Sequence, residues 1–290
     1  LSLPQFVIDA HTHLFPDEVV RDRRRHLEQD TWFGELYASP EIVLVSPEDM
    51  IASMDGAGIS MSVVCGWPWR DMGHCRAHND YLADVGRQFP ERIAWLAIVN
   101  PADAGAAAEV ERAVSLGAVG VGELNADGQG FSWERPSELA NFSAYCTEAD
   151  VPVLVHCSEP VGHPYPGKGT ATPERLLRFI EVNRDLRIVA AHWGGGLPFY
   201  ELMPEVAELT KNVVYDSAAS TYLYRWDVFP VIERLIGSGR MLFGTDYPLL
   251  KQRAFLNRVL GSGVDEAGLP ELLGGAAART FGLKPGGTRS

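Results

Sequence analysis

The chain has 290 residues, 46% of them hydrophobic and 22% charged, enough to bury one large core. Twenty-five basic against 38 acidic residues leave a net charge of −13, which opposes contact with phosphate backbones and anionic bilayers, so neither nucleic acid nor a membrane is expected as a partner. No uninterrupted apolar run approaches the roughly eighteen residues of a membrane span, the amino terminus lacks a secretory pattern, and Cys65, Cys75, Cys146 and Cys157 form no CxxC pair. A reduced, cytoplasmic setting is the expectation.

In chain order, short runs rich in Val, Ile and Ala recur: FVIDAH (6–11), SMSVVCG (60–66), RIAWLAIVN (92–100), AVGVGEL (118–124), VPVLVHC (151–157), RIVAAHW (187–193), NVVYDSA (212–218) and MLFGTDY (241–247). They are nearly continuous rather than alternating, as parallel strands covered on both faces should be. Helical patterns separate them at 47–57, 74–89, 104–115, 137–149, 173–183, 199–211, 225–237 and 251–260. Ser46-Pro47-Glu48-Asp49 and Thr172-Pro173-Glu174 supply a cap, a first-turn proline and early carboxylates. Eight strand–helix units with no GxGxxG after a strand predict a single (β/α)8 barrel over 1–290 rather than a doubly wound sheet. A final helix at 266–280 would close one end.

Two connections exceed what a barrel needs. Residues 14–46, after strand 1, carry Trp32, Phe33 and Tyr37 beside Arg23-Arg24-Arg25, a run read as a solvated face. Residues 158–172, after strand 5, carry His163, Tyr165 and Lys168 among Gly162, Gly167 and Gly169. Both leave from carboxyl strand ends, where long loops shape a substrate pocket, so His163, Tyr165 and Lys168 are candidate substrate contacts. Trp67, Trp69 and Arg70 follow strand 2 and offer an aromatic wall with a carboxylate-binding guanidinium, against the plainer alternative of loop packing.

The remaining chemistry lies in the strand ends. Asp9, His11 and His13 are spaced by two, so on a regular strand all three face one side, with Asp9 a layer below the two imidazoles. HxH alone is a weak signal. Here, however, Glu123 ends strand 4, His156 strand 5, His192 strand 6 and Asp246 strand 8, all on the rim where barrel active sites occur. Two histidines and a carboxylate suit a divalent ion, zinc by ligand chemistry, in one or two copies. Asp216 after strand 7 and Cys157 beside His156 are read as structural, and His26, His74 and His78 have no strand-end placement and no assigned role.

DAHTHLF (9–15), VGEL (121–124), VLVHC (153–157), AHWGGG (191–196), GTDYPL (244–249) and GGAAARTFGL (274–283) occur in this order. Through them the chain resembles the amidohydrolase superfamily, in its amidohydrolase-2 branch, which includes decarboxylases similar to aminocarboxymuconate-semialdehyde decarboxylase. One departure is Ala276, where the closing helix of that family has Asn, which bears on packing at the barrel end. The resemblance implies His11, His13 and His156 as ligands, Asp246 as ligand and proton acceptor, and His192 as a second-ion ligand or a catalytic acid. Glu123 is either a ligand, similar to the GE carboxylate of TatD-like nucleases, or a partner that orients a ligand histidine. The acidic surface and the HWGGG and GTDYP contexts set a nuclease aside. The retained strand-4 carboxylate favours a metal-dependent hydrolase whose activated water attacks an amide, ester or lactone of a small molecule. The alternatives are non-oxidative decarboxylation of an unsaturated or aromatic acid and a non-enzymatic barrel; self-association is left open.

Overall fold

The computed structural model describes residues 4–284, so the two ends of the expected 1–290 domain, 1–3 and 285–290, lie outside the described residues. Eight parallel strands run in chain order: β1 (Ile8–His13), β2 (Met61–Cys65), β3 (Ile93–Ala97), β4 (Gly120–Leu124), β5 (Val153–Val155), β6 (Ile188–Ala190), β7 (Val213–Asp216) and β8 (Met241–Leu242). The segment after β8 returns to β1: Ala10 N donates to Phe243 O (2.7 Å), Asp246 N to His11 O (2.9 Å) and His13 N to Tyr247 O (2.7 Å). Every predicted strand is present, and helices lie between them as the TIM-barrel expectation requires.

Local chemistry explains the elements. The helix Pro47–Ala57 begins where Ser46 Oγ accepts from Asp49 N and Asp49 Oδ2 accepts from Ser46 N, both at 3.1 Å, and it ends at Gly58 in the left-handed region (φ 75°). The predicted helix at 199–211 is instead two pieces, Leu197–Tyr200 and Pro204–Leu209. Pro204 lacks an N–H and holds Met203 extended (φ −89°, ψ 118°), so the helix cannot run through. The closing segment is Glu271–Gly275 followed by Ala276–Phe281. Ala276, Ala277 and Phe281 plug the barrel interior against Ile8, Met61 and Leu242. Ala276 is buried there and packs without difficulty.

The segment at 14–46 contains three short helices, Asp17–Arg21, Arg23–Gln29 and Thr31–Tyr37. Asp30 caps the third by accepting from Phe33 N (2.8 Å). Arg24 and Arg25 pair on the surface with Glu28 and Glu18, but Arg23 donates to the Tyr37 and Ile42 carbonyls and pins the segment's end. His78, on the helix Met72–Gln88, proves to be a staple: its Nδ1 accepts from Trp69 Nε1 (2.9 Å) and its Nε2 donates to Leu14 O (2.9 Å).

Candidate metal centre

Strand β1 does not keep a regular alternation. Its pairing with β2 shifts between Asp9 and Thr12, and this irregularity separates side chains that the i, i+2 spacing had placed together. Ile8 and Ala10 point into the barrel interior. Asp9 consequently faces the helices, not the site: it accepts from Thr245 Oγ1 (2.6 Å), Thr245 N (2.9 Å) and Gln252 Nε2 (2.8 Å). Beyond the shift, His11 and His13 turn to the rim with their Nε2 atoms 3.2 Å apart.

The other strand ends meet them. Glu123 Oε2 lies 3.4 Å from His11 Nε2 and 3.7 Å from His13 Nε2, while its Oε1 lies 2.9 Å from His156 Nδ1 and 3.2 Å from His192 Nε2. Asp246 Oδ1 is 3.3 Å from His13 Nε2 and 4.0 Å from His11 Nε2. Two triads result, His11–His13–Asp246 and Glu123–His156–His192, with Glu123 between them. The backbone enforces the convergence. A Cβ at Gly122 would collide with the Leu154 carbonyl oxygen, so only glycine lets β4 approach β5 closely enough to aim Glu123 inward.

His192 sits beyond its strand, not at its end. β6 stops at Ala190, and His192 and Trp193 take left-handed backbone (φ 56° and 57°), a conformation that costs a residue with a Cβ about 1–2 kcal/mol. Asp216 accepts from His192 N (3.0 Å), Trp193 Nε1 donates to Ser220 Oγ (2.8 Å), and these bonds hold the turn. Asp246 is likewise left-handed (φ 66°). Asp216, read from the sequence as structural, is the link the sequence left unconnected: its Oδ2 accepts from His11 Nδ1 at 2.9 Å. The available signal was its position at the carboxyl end of β7, equivalent to the other rim residues.

A cation fits this donor set. His11 Nδ1 meets Asp216, which leaves Nε2 directed towards His13, Glu123 and Asp246. Burial opposes charge on this ring, but Asp216 and Glu123 help to raise its imidazole well above the usual range, so it attracts a proton where no metal ion takes that place. Lone pairs and carboxylate oxygens packed together out of water repel unless positive charge lies between them. Protons answer the same need. Burial works against charge on His192, but the Glu123 hydrogen bond and the nearby Asp246 and Asp216 carry its imidazole up to about 9. Burial also opposes ionisation of Asp246, yet His13 and His11 draw it down to about 2, and the imidazoles hold Glu123 well below the usual carboxylate range against the same penalty. The site is therefore a divalent-metal site of mixed imidazole and carboxylate character.

Two cavities open above it, of 290 Å³ and 310 Å³. His156, His192 and Asp246 line both, so they are two lobes of one cleft. The first is walled by Trp32, Tyr37 and Trp67, with Asn125 and Glu41; the second by His163, Tyr165, Tyr222 and Leu223. Lys168 lines neither: its Nζ donates to Val161 O (2.7 Å) and His163 O (3.2 Å) and braces the loop. Arg70 also lies outside both lobes, its guanidinium over Gly130 and its amide bonded to Asp30. Trp69 is buried behind Trp67.

The Amidohydrolase family model matches residues 8–283. The chain belongs to the amidohydrolase family. No curated protein matches it. Among solved structures, this amidohydrolase-family chain is similar to 5-carboxyvanillate decarboxylase from Sphingomonas paucimobilis, with a TM-score of 0.81 and 19% identity over 96% of this chain and 99% of that one. It is also similar to 2,6-dihydroxybenzoate decarboxylase from Rhizobium (TM-score 0.73, 21% identity, 96% and 99% covered). A third is the dihydroxybenzoic acid decarboxylase from Polaromonas sp. JS666, solved with manganese and the inhibitor 2-nitroresorcinol (TM-score 0.77, 20% identity, 96% and 97% covered). At these identities the likeness is one of fold. Family and donor set together make the chain a metal-dependent enzyme of this family.

Proposed function

We propose that this chain is a metal-dependent, non-oxidative decarboxylase of a small aromatic acid. This reverses the order favoured from the sequence, in which hydrolysis came first. The observation that carries the reading is the placement of the His11–His13–Asp246 and Glu123–His156–His192 triads at the floor of a cleft walled by Trp32, Tyr37 and Trp67. Indole and phenol faces receive a planar ring, and the floor receives its anionic substituents. The resemblance in fold to three aromatic-acid decarboxylases, across nearly the full length of each, supports the same choice.

A divalent ion held by His11, His13, Asp246 and Glu123 would supply positive charge that binds the acid and stabilises negative charge developing on the ring. We propose manganese in place of the expected zinc, because the mixed nitrogen and oxygen donors accept it and relatives of the same fold were solved with it. The protein's own part is orientation and proton handling. The aromatic walls place the carboxylate-bearing carbon above His192 and Asp246. Loss of CO2 breaks the C–C bond and leaves its electron pair on that ring carbon. An imidazolium at His192, favoured by Glu123, Asp246 and Asp216, gives the proton that replaces the lost group; a proton from solvent then recharges the imidazole, and ionised Asp246 stabilises the charge. His163 and Tyr165 face the substrate from the second lobe; Lys168 acts on the substrate only through the loop it braces.

The deciding experiment incubates manganese-loaded protein with a panel of hydroxybenzoates and, separately, lactones and esters. CO2 from a hydroxybenzoate, lost in His192→Asn, is the expected result. Turnover of lactones or esters without CO2 would return the hydrolytic reading.

A further inference from the structure

The two lobes share a floor but differ in what they can accept, and no Lys or Arg lines either of them. Among the described residues that line them there are three carboxylates, Glu41, Glu123 and Asp246, and no Lys or Arg. The two cations expected from the sequence line neither lobe: Lys168 holds two loop carbonyls, and the Arg70 guanidinium lies over Gly130. A substrate can therefore place one anionic end on the metal-site floor. With the floor and His192 taken by the first carboxylate, a second one in either lobe would lose its water, meet no Lys or Arg and, in the first lobe, face Glu41.

The second lobe asks for the opposite. Leu36, Ile42 and Leu249 lie between the two lobes, and Leu223 with the rings of Tyr165 and Tyr222 completes the apolar surface of the second. Tyr222 and Leu249 remain 53% and 48% exposed at its mouth, surface that an apolar group in the lobe would cover. A hydroxybenzoate ring seated among Trp32, Tyr37 and Trp67 leaves this space open.

Building on the aromatic-acid reading above, we infer that the substrate is a monocarboxylic aromatic acid bearing an uncharged hydrophobic arm, and that the lobe lined by Tyr165, Tyr222 and Leu223 receives the arm. Each methylene buried there contributes about fourfold in affinity. The same geometry selects against aromatic dicarboxylates, including the class to which 5-carboxyvanillate, named for the relative of similar fold, belongs.

The test is binding, measured by calorimetry on manganese-loaded protein with three probes: 2-hydroxybenzoate, 4-butyl-2-hydroxybenzoate and 2-hydroxyterephthalate. The butyl acid should bind at least ~10-fold more tightly than 2-hydroxybenzoate, and the dicarboxylate at least ~10-fold more weakly. Leu223→Arg should erase the butyl advantage and recover the dicarboxylate. Equal or tighter binding of the dicarboxylate by the unmodified protein overturns the inference, as does failure of all three to bind; neither result depends on the variant. CO2 release is scored separately. The predicted binding order without any CO2 would sink the decarboxylase reading and leave the lobe assignment standing, whereas CO2 release with a dicarboxylate preference would sink the lobe assignment alone.

Discussion

Asp216 accepts the Nδ1 proton of His11 at 2.9 Å, and both side chains are fully buried. One carboxylate thereby orients the imidazole of a proposed metal ligand, and through its other oxygen it holds the backbone amides of His192 and Ala218 at 3.0 and 2.9 Å. Removing its charge should loosen the metal without touching it. Asp216→Asn is expected to lower metal affinity by about 10-fold or more. Chelator competition followed by metal analysis measures this, and unchanged affinity would show that Asp216 only packs.

His11 and His13 form the inner edge of the centre, with Nε2 atoms 3.2 Å apart. The double variant His11→Ala/His13→Ala should retain under about a tenth of the metal bound by the parent protein while keeping its far-ultraviolet circular dichroism. Loss of stability is expected too, because Asp216 is left buried without its partner, a cost of about 1–3 kcal/mol. Full metal retention would refute the ligand assignment.

Gly122 controls the direction of Glu123. In Gly122→Ala the added Cβ must push against the Leu154 carbonyl, so β4 and β5 separate or the strand rotates. Destabilisation by about 1–3 kcal/mol and reduced metal content should occur together. A variant that unfolds normally but binds less metal would confine the effect to the site; a variant normal in both would mean that the backbone yields easily.

His78 predicts an acid-labile fold. Burial, aided by the neighbouring His13, pushes its imidazole down to about 3 although the Leu14 carbonyl supports the charged form. The unfolded chain takes up the proton near pH 6.5. Below that pH the unfolded state binds more protons, so the stability associated with neutral His78 is complete above about 6.5 and declines as pH falls towards 3. About 2 kcal/mol should be lost between pH 6.5 and pH 5. Urea unfolding across that range tests it against His78→Gln, in which the slope should flatten. Parallel slopes in the two proteins would rule His78 out as the source.

The order of eight apolar runs and eight intervening helical patterns was legible in the chain because each unit is local: continuous Val, Ile and Ala for strands buried on both faces, capped and proline-started segments for helices. The clustering of His11, His13, Glu123, His156, His192 and Asp246 was legible in part for the same reason, because each lies at or just past the carboxyl end of an apolar run. Direction was not. A pairing shift in β1 turned Asp9 outward while leaving His11 inward, and left-handed backbone at His192 and Asp246 carried those side chains round from where a regular strand would aim them. Neither feature is written in residue spacing, since each is enforced by partners more than twenty residues away: Thr245 and Gln252 for Asp9, Asp216 for His192. Arg70 and Lys168 make the same point from the side of charge. Their chemistry suited an anionic substrate, but the fold sets the Arg70 guanidinium over Gly130 and Lys168 against the carbonyls of Val161 and His163, so the cleft is lined by neither.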